Sequence, residues 1–104
     1  MQDVAVRNFR IHLTQYAKRA SAGEQIIIRR HGEPIAVLRA ASDSERLKEI
    51  SFHRLRASIG RTLRQTQRGR RWLITYYGSP SPVVLIPVPP ELLPPDEDLS
   101  EEPS

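Results

Sequence analysis

Cysteine is absent from the 104 residues, which removes disulfide frameworks, thiol catalysis and Cys-based zinc sites and is compatible with a reducing compartment. Aromatic residues make up only 6% of the chain, and no apolar run approaches the ~18–20 residues that span a bilayer. Residues 1–10 carry neither the basic start nor the hydrophobic stretch of an export signal. The expectation is a cytoplasmic protein without a membrane partner. The three histidines, His12, His31 and His53, lack an H-x-x-x-H spacing, so no metal site is expected. No Ser-His-Asp set, paired-carboxylate site or phosphate-binding glycine loop can be assembled. Neither an enzyme nor a cofactor is expected.

What the chain does have is positive charge, unevenly placed. All sixteen basic residues lie between Arg7 and Arg71, and fourteen of them are arginine. Six of the twelve acidic residues fall between Glu91 and Glu102. The formal charge of +4 therefore divides into +10 for residues 1–90 and −6 for residues 91–104. Residues 50–87 hold seven basic side chains and no acidic one. A basic body with an acidic tail suits a polyanionic partner, and the guanidinium fork favours phosphate or base acceptors. Ordinary solvated charge is the competing reading.

A second positive feature is internal repetition. A gapless shift of 46 residues brings Gly23 onto Gly69, Gly32 onto Gly78 and Pro34 onto Pro80, and also matches Arg10 with Arg56, Ile28 with Ile74 and Val37 with Val83. Apolar positions keep phase, with Phe9 on Leu55 and Leu13 on Ile59. Each copy reads as a short strand (residues 3–6 or 49–52), then a helix with its apolar residues three and four apart. Phe9, Leu13, Tyr16, Ala17 and Ala20 mark one such face; Leu55, Ile59, Thr62, Leu63 and Thr66 mark the other. Gly23 and Gly69 stand where each helix should stop. Strands at 25–30 and 71–76 then turn at Gly32 or Gly78 into returning strands at 35–39 and 82–86.

The expected fold is α+β: two tandem β-α-β-β units, residues 1–40 and 49–87, forming an intramolecular pseudo-dimer. One unit buries a single helix face on three short strands and is marginal alone. The linker, residues 41–48, has Ser42, Asp43 and Ser44 as N-cap candidates for a short helix. Residues 88–104, rich in proline and acid, are expected to be a disordered tail.

The stretch VAVRNFRIHLTQYAKRASAGEQIIIRRHGEPIAVL, residues 4–38, resembles the N-terminal DNA-binding domain of Phd/YefM-type antitoxins. The likeness rests on Arg10 ahead of Leu13, Gly23-Glu24, the Ile26-Ile27-Ile28-Arg29-Arg30 run, and Gly32-Glu33-Pro34-Ile35-Ala36-Val37-Leu38. Residues 49–86 match loosely, departing at Arg70, Tyr76 and Pro82. The resemblance implies an antitoxin of a type II toxin–antitoxin system that binds double-stranded operator DNA as an autorepressor and has a cognate toxin protein as a possible partner. Family members work as homodimers, so here it implies either a monomeric pseudo-dimer or a homodimer of such chains. It also implies that Arg10 and Arg30 touch DNA, with Arg56 as the second copy's equivalent of Arg10.

The candidate DNA-contacting residues are Arg7, Arg10, Arg29 and Arg30 in the first copy and Arg54, Arg56, Arg61 and Arg64 in the second. Each has the alternative of serving solubility alone. Leu92, Leu93 and Leu99, flanked by acids, are candidates for docking a basic partner; inert disorder and folding back onto the arginine surface are the other two readings of the tail. Tyr76 and Tyr77 suit either base stacking or interface packing. Two further functions stay open: an interaction module that binds a basic toxin without regulating DNA, and a phage or plasmid regulator without a toxin.

Overall fold

Period-2 apolar alternation, then a 3.6-residue apolar face, then a glycine and two β-rich runs: this grammar is written twice, and the chain folds accordingly. The computed structural model describes residues 2–41, 47–76 and 79–89. The first five elements are β1 (Gln2–Ala5), α1 (Val6–Ile11), α2 (Leu13–Ser21), β2 (Ile26–Arg30) and β3 (Glu33–Ala40). The next five are β4 (Lys48–Ser51), α3 (Phe52–Ala57), α4 (Ile59–Gln67), β5 (Trp72–Tyr76) and β6 (Ser79–Ile86). Adding 46 to the bounds of each element in the first set gives those of the second.

The architecture is mixed α+β, with one correction to each expected helix. Two helices replace one, broken at His12 (φ −112°, ψ 35°) and at Ser58 (φ −135°, ψ 38°). Backbone bonding runs on through the corner, from the His12 amide to Asn8 and from the Tyr16 amide to His12, so the chain turns without unwinding. A second correction concerns Val6 and Phe52, expected to end strands, which instead open α1 and α3. At the second copy the cause is visible: Ser51 Oγ accepts the Arg54 amide at 3.0 Å, an N-cap that starts the helix at Phe52. The helix ends were read correctly. Gly23 (φ 109°) and Gly69 (φ 110°) adopt backbone angles that disfavour any residue with a Cβ.

All six strands form one sheet in the order β1-β2-β3-β6-β5-β4. Each outer pair is parallel and each hairpin antiparallel. At the centre β3 and β6 run antiparallel, with Val37 opposite Ile86, Leu38 opposite Leu85 and Arg39 opposite Val84. Four helices pack on one face, where Phe9, Leu13, Leu55, Ile59 and Leu63 meet Ile26, Ile28, Leu38, Ile74 and Leu85. Burying each such side chain contributes roughly 1.5–3 kcal/mol. The opposite face is apolar too: Ile27, Val37, Val84 and Ile86 are buried there with Ala41, Leu47, Leu73 and Val88 packed around them. Burial on both faces explains why the central strands read as continuous apolar runs rather than as alternation.

The gapless shift fails in one place. Both hairpins carry a bulge, between Ile28 and Arg29 and between Ile74 and Thr75. Across it the partner strand advances from Ala36 to Pro34 in the first hairpin, but from Val83 to Pro80 in the second. The extra residue in β6 changes the correspondence: Val37 shares the far face with Val84, not with the Val83 that a 46-residue shift selects. One inserted residue reverses every later side chain, and the bulge absorbs it.

Some expectations fall outside the described residues. Residues 42–46, most of the expected linking helix, are among these, as are Tyr77, Gly78 and the tail leucines Leu92, Leu93 and Leu99. Lys48, assigned to the linker, begins β4. Val88, assigned to the tail, packs against the second apolar cluster. No helix among the described residues is long and apolar enough to cross a membrane.

Candidate nucleic-acid interface

The helix corners at His12 and Ser58 place the ends of α1 and α3 beside the starts of α4 and α2, where arginines 46 residues apart meet. An open cavity of about 560 Å³ is lined by Arg10, Arg56, Gly60, Arg61 and Arg64, with Ala57, Ser58 and Ile59 completing the wall. Four arginines thus line one space with no acidic side chain in its lining. Like charges that converge without a counter-ion raise the local positive potential, and that potential is relieved by an anion from solution.

The two central arginines are held differently. Arg56 donates from Nη2 to Thr14 Oγ1 at 2.9 Å, reaching from α3 to α2, and its guanidinium lies 5.2 Å from the centroid of the Phe52 ring. The position 46 residues beyond Thr14 is Gly60, which offers no hydroxyl. A Cβ built there would sit 3.7 Å from Arg10 Nη2 and 3.8 Å from Arg64 Nη1. Among the described residues Arg10, Arg61 and Arg64 have no hydrogen-bond or ion-pair partner. Arg56 is held by Thr14 and the Phe52 ring; the Arg10 guanidinium lies over Gly60.

A second, smaller groove of about 320 Å³ opens from the same helix pair toward the sheet edge. Lys48, Arg54, Arg61 and Arg70 supply its cations, Glu49 its one acidic group, and Trp72 its apolar wall. Arg61 and Ser58 line both cavities, so the two adjoin at these side chains. Arg70 lies with its guanidinium 5.5 Å from the Trp72 ring centroid.

Of the eight arginines singled out from the sequence, Arg10, Arg56, Arg61 and Arg64 come together and Arg54 adjoins them. Arg7 is exposed on α1, outside either cavity. Arg30 is half-buried at the end of β2, also outside both. Arg29 is engaged within the first hairpin: Nη1 donates to the Gly32 carbonyl at 2.9 Å. Its Nε lies 3.2 Å from Asp3 Oδ2, within ion-pair distance but off the line a hydrogen bond needs. Sequence reasoning passed over Thr14, Gly60 and Lys48, while Arg70, weighed there as a possible contact, lines the smaller groove. The shift that aligns Thr14 with Gly60 held the signal for the first two, since it sets a hydroxyl against a bare backbone at matched positions. Among the described residues no group of histidines and carboxylates could hold a metal ion.

Comparison with protein-family models matches residues 1–53, half of the chain, to the model described as Antitoxin Phd_YefM, type II toxin-antitoxin system. No curated protein and no solved structure matches.

Proposed function

The chain belongs to the Phd/YefM antitoxin family of type II toxin–antitoxin systems, and from that premise we propose that it binds the duplex of its own operator and represses its own operon. The binding surface is the arginine cleft where the two helix pairs meet. The observation that carries this reading is the convergence of Arg10 and Arg56 with Arg61 and Arg64 on one acid-free cavity. Phosphate contacts would set affinity and register, and base-edge contacts by Arg10 and the anchored Arg56 would supply sequence preference.

The chain does this as a pseudo-dimer of two tandem units, residues 1–40 and 49–87. Support comes from the equal element bounds under a 46-residue shift and from the sheet order, which reads the same from either edge once the halves are exchanged. With the extra β6 residue counted, so that Leu38 corresponds to Leu85, the antiparallel β3–β6 pair maps onto itself about that contact. Such a chain matches an operator with two inverted half-sites. The family also implies a toxin partner, and Leu92, Leu93 and Leu99 in the acidic tail are the proposed contacts.

The experiment is a mobility shift on the native promoter fragment against a scrambled duplex. Arg10→Ala/Arg56→Ala should abolish the preference for the promoter, since each base-reading arginine is worth roughly 1–3 kcal/mol, while circular dichroism stays native. Normal footprinting by the double variant would refute the assignment.

A further inference from the structure

Among the described residues the basic surface extends from the central cavity onto the side of α3, α4 and β4. Under the 46-residue correspondence, the groove cations Lys48, Arg54, Arg61 and Arg70 fall on Gln2, Asn8, Gln15 and Glu24. Three cations have become neutral amides and the fourth an acid. The remaining acidic group, Glu49, matches Asp3 and is common to both halves. At the ten groove positions the first half has one cation, Arg19, in the place of Gln65, and Arg29 from outside them lies 3.2 Å from Asp3. Arg19 is already occupied: Nη1 donates to Gln2 Oε1, and its guanidinium lies 5.8 Å from the Tyr16 ring centroid. The ten groove positions total +3 in the second half, four cations less Glu49, and −1 in the first, Arg19 less Asp3 and Glu24.

We infer that the second half carries an additional duplex-binding groove, filled by the phosphate backbone beyond the half-site read at the central cleft, and that the first half lacks it. The partner is identified by chemistry. A backbone of regularly spaced anions continues past the cleft, and the groove adjoins the cleft at Arg61 and Ser58, which line both. Trp72, with the Arg70 guanidinium 5.5 Å from its ring centroid, also lines the groove. The molecule is therefore polar along the duplex: it grips more DNA on the side of α4 and β4 than on the side of α2 and β1. This rests on the duplex-binding reading proposed above and extends it.

The test is the salt dependence of affinity for a duplex long enough to extend past both half-sites. Each phosphate neutralised contributes about −0.9 to the slope of log K against log salt. Lys48→Gln/Arg54→Asn/Arg70→Gln removes the three cations that belong to the groove alone, and all three are exposed. The slope should become less steep by about 2.7 if each neutralises one phosphate. Lys18→Gln/Arg19→Gln, which removes two charges from the first half, should leave the slope unchanged. Should the triple variant fail to fold, the reverse change decides: Asn8→Arg/Gln15→Arg/Glu24→Arg writes the groove into the first half and should steepen the slope. An unchanged slope in the triple variant, an equal loss in the first-half control, or no gain in the reverse variant overturns the one-sided groove and leaves binding at the cleft intact. A wild-type chain that binds no duplex overturns both.

Discussion

Thr66→Val asks how much one buried hydroxyl matters. Thr66 is fully buried and Trp72 only 6% exposed. Thr66 Oγ1 accepts the indole Nε1–H at 3.1 Å and donates to the Thr62 carbonyl at 2.8 Å. Valine keeps the β-branched shape and a similar helix propensity, so the substitution removes the polar atom and little else. Losing the bond back to the helix carbonyl costs little, because such bonds do not favour helices. The indole N–H, however, is left buried without an acceptor, which costs about 1–3 kcal/mol. At roughly 4–8 °C per kcal/mol for a domain of this size, the midpoint should fall by about 4 °C at least. The chain contains one tryptophan, so fluorescence and circular dichroism melts report the same event from two probes. A change within about 0.5 kcal/mol, the range of ordinary surface substitutions, would refute the reasoning. The first half solves the same packing problem differently. At the positions of Thr62, Thr66 and Trp72 it has Tyr16, Ala20 and Ile26, with the aromatic ring on the helix instead of the strand. Trp72→Ile alone should therefore cost about 3 kcal/mol, whereas Thr62→Tyr/Thr66→Ala/Trp72→Ile should cost less than about 1.5 kcal/mol, as volume-conserving swaps do.

Two further outcomes follow from backbone geometry and are read by denaturant unfolding. Gly60 lies inside α4 without a positive φ, and a Cβ there meets only guanidinium nitrogens at ordinary contact distance; Gly60→Ala should stabilise the fold by about 0.5–1 kcal/mol. Gly69 has open space around it but a φ of 110°, so Gly69→Ala should destabilise it by about 1 kcal/mol or more through backbone strain alone.

Element order was legible in the sequence because its signals are local. Helix faces at three- and four-residue spacing and the glycines at 23 and 69 need no tertiary partner to be read. The corners at His12 and Ser58 carry neither proline nor glycine, so nothing local announces them. Val6 and Phe52 fit a strand's alternation and a helix's first turn equally well; at Phe52 the Ser51 cap decides. The extra residue in β6 is invisible to a gapless shift that still aligns Pro34 with Pro80, since the hairpin resumes its phase at the turn. Half of the candidate site could be read from the abundance of arginine. The 46-residue shift pointed to Arg10 with Arg56. That Arg61 and Arg64 line the same cavity while Arg7, Arg29 and Arg30 do not could not be read, because it depends on the long-range packing of the two helix pairs on the joined sheet. The same holds for Arg29, whose engagement by Asp3 follows from the parallel β1–β2 register that sets Ala5 beside it.

The central claim, that two halves of one chain make a complete operator reader, is tested most directly by stoichiometry. Native mass spectrometry of the protein mixed with a duplex holding a single inverted-repeat site from its promoter should show one chain per duplex. Two chains on that single site would mean that each contributes only one half, contradicting the account.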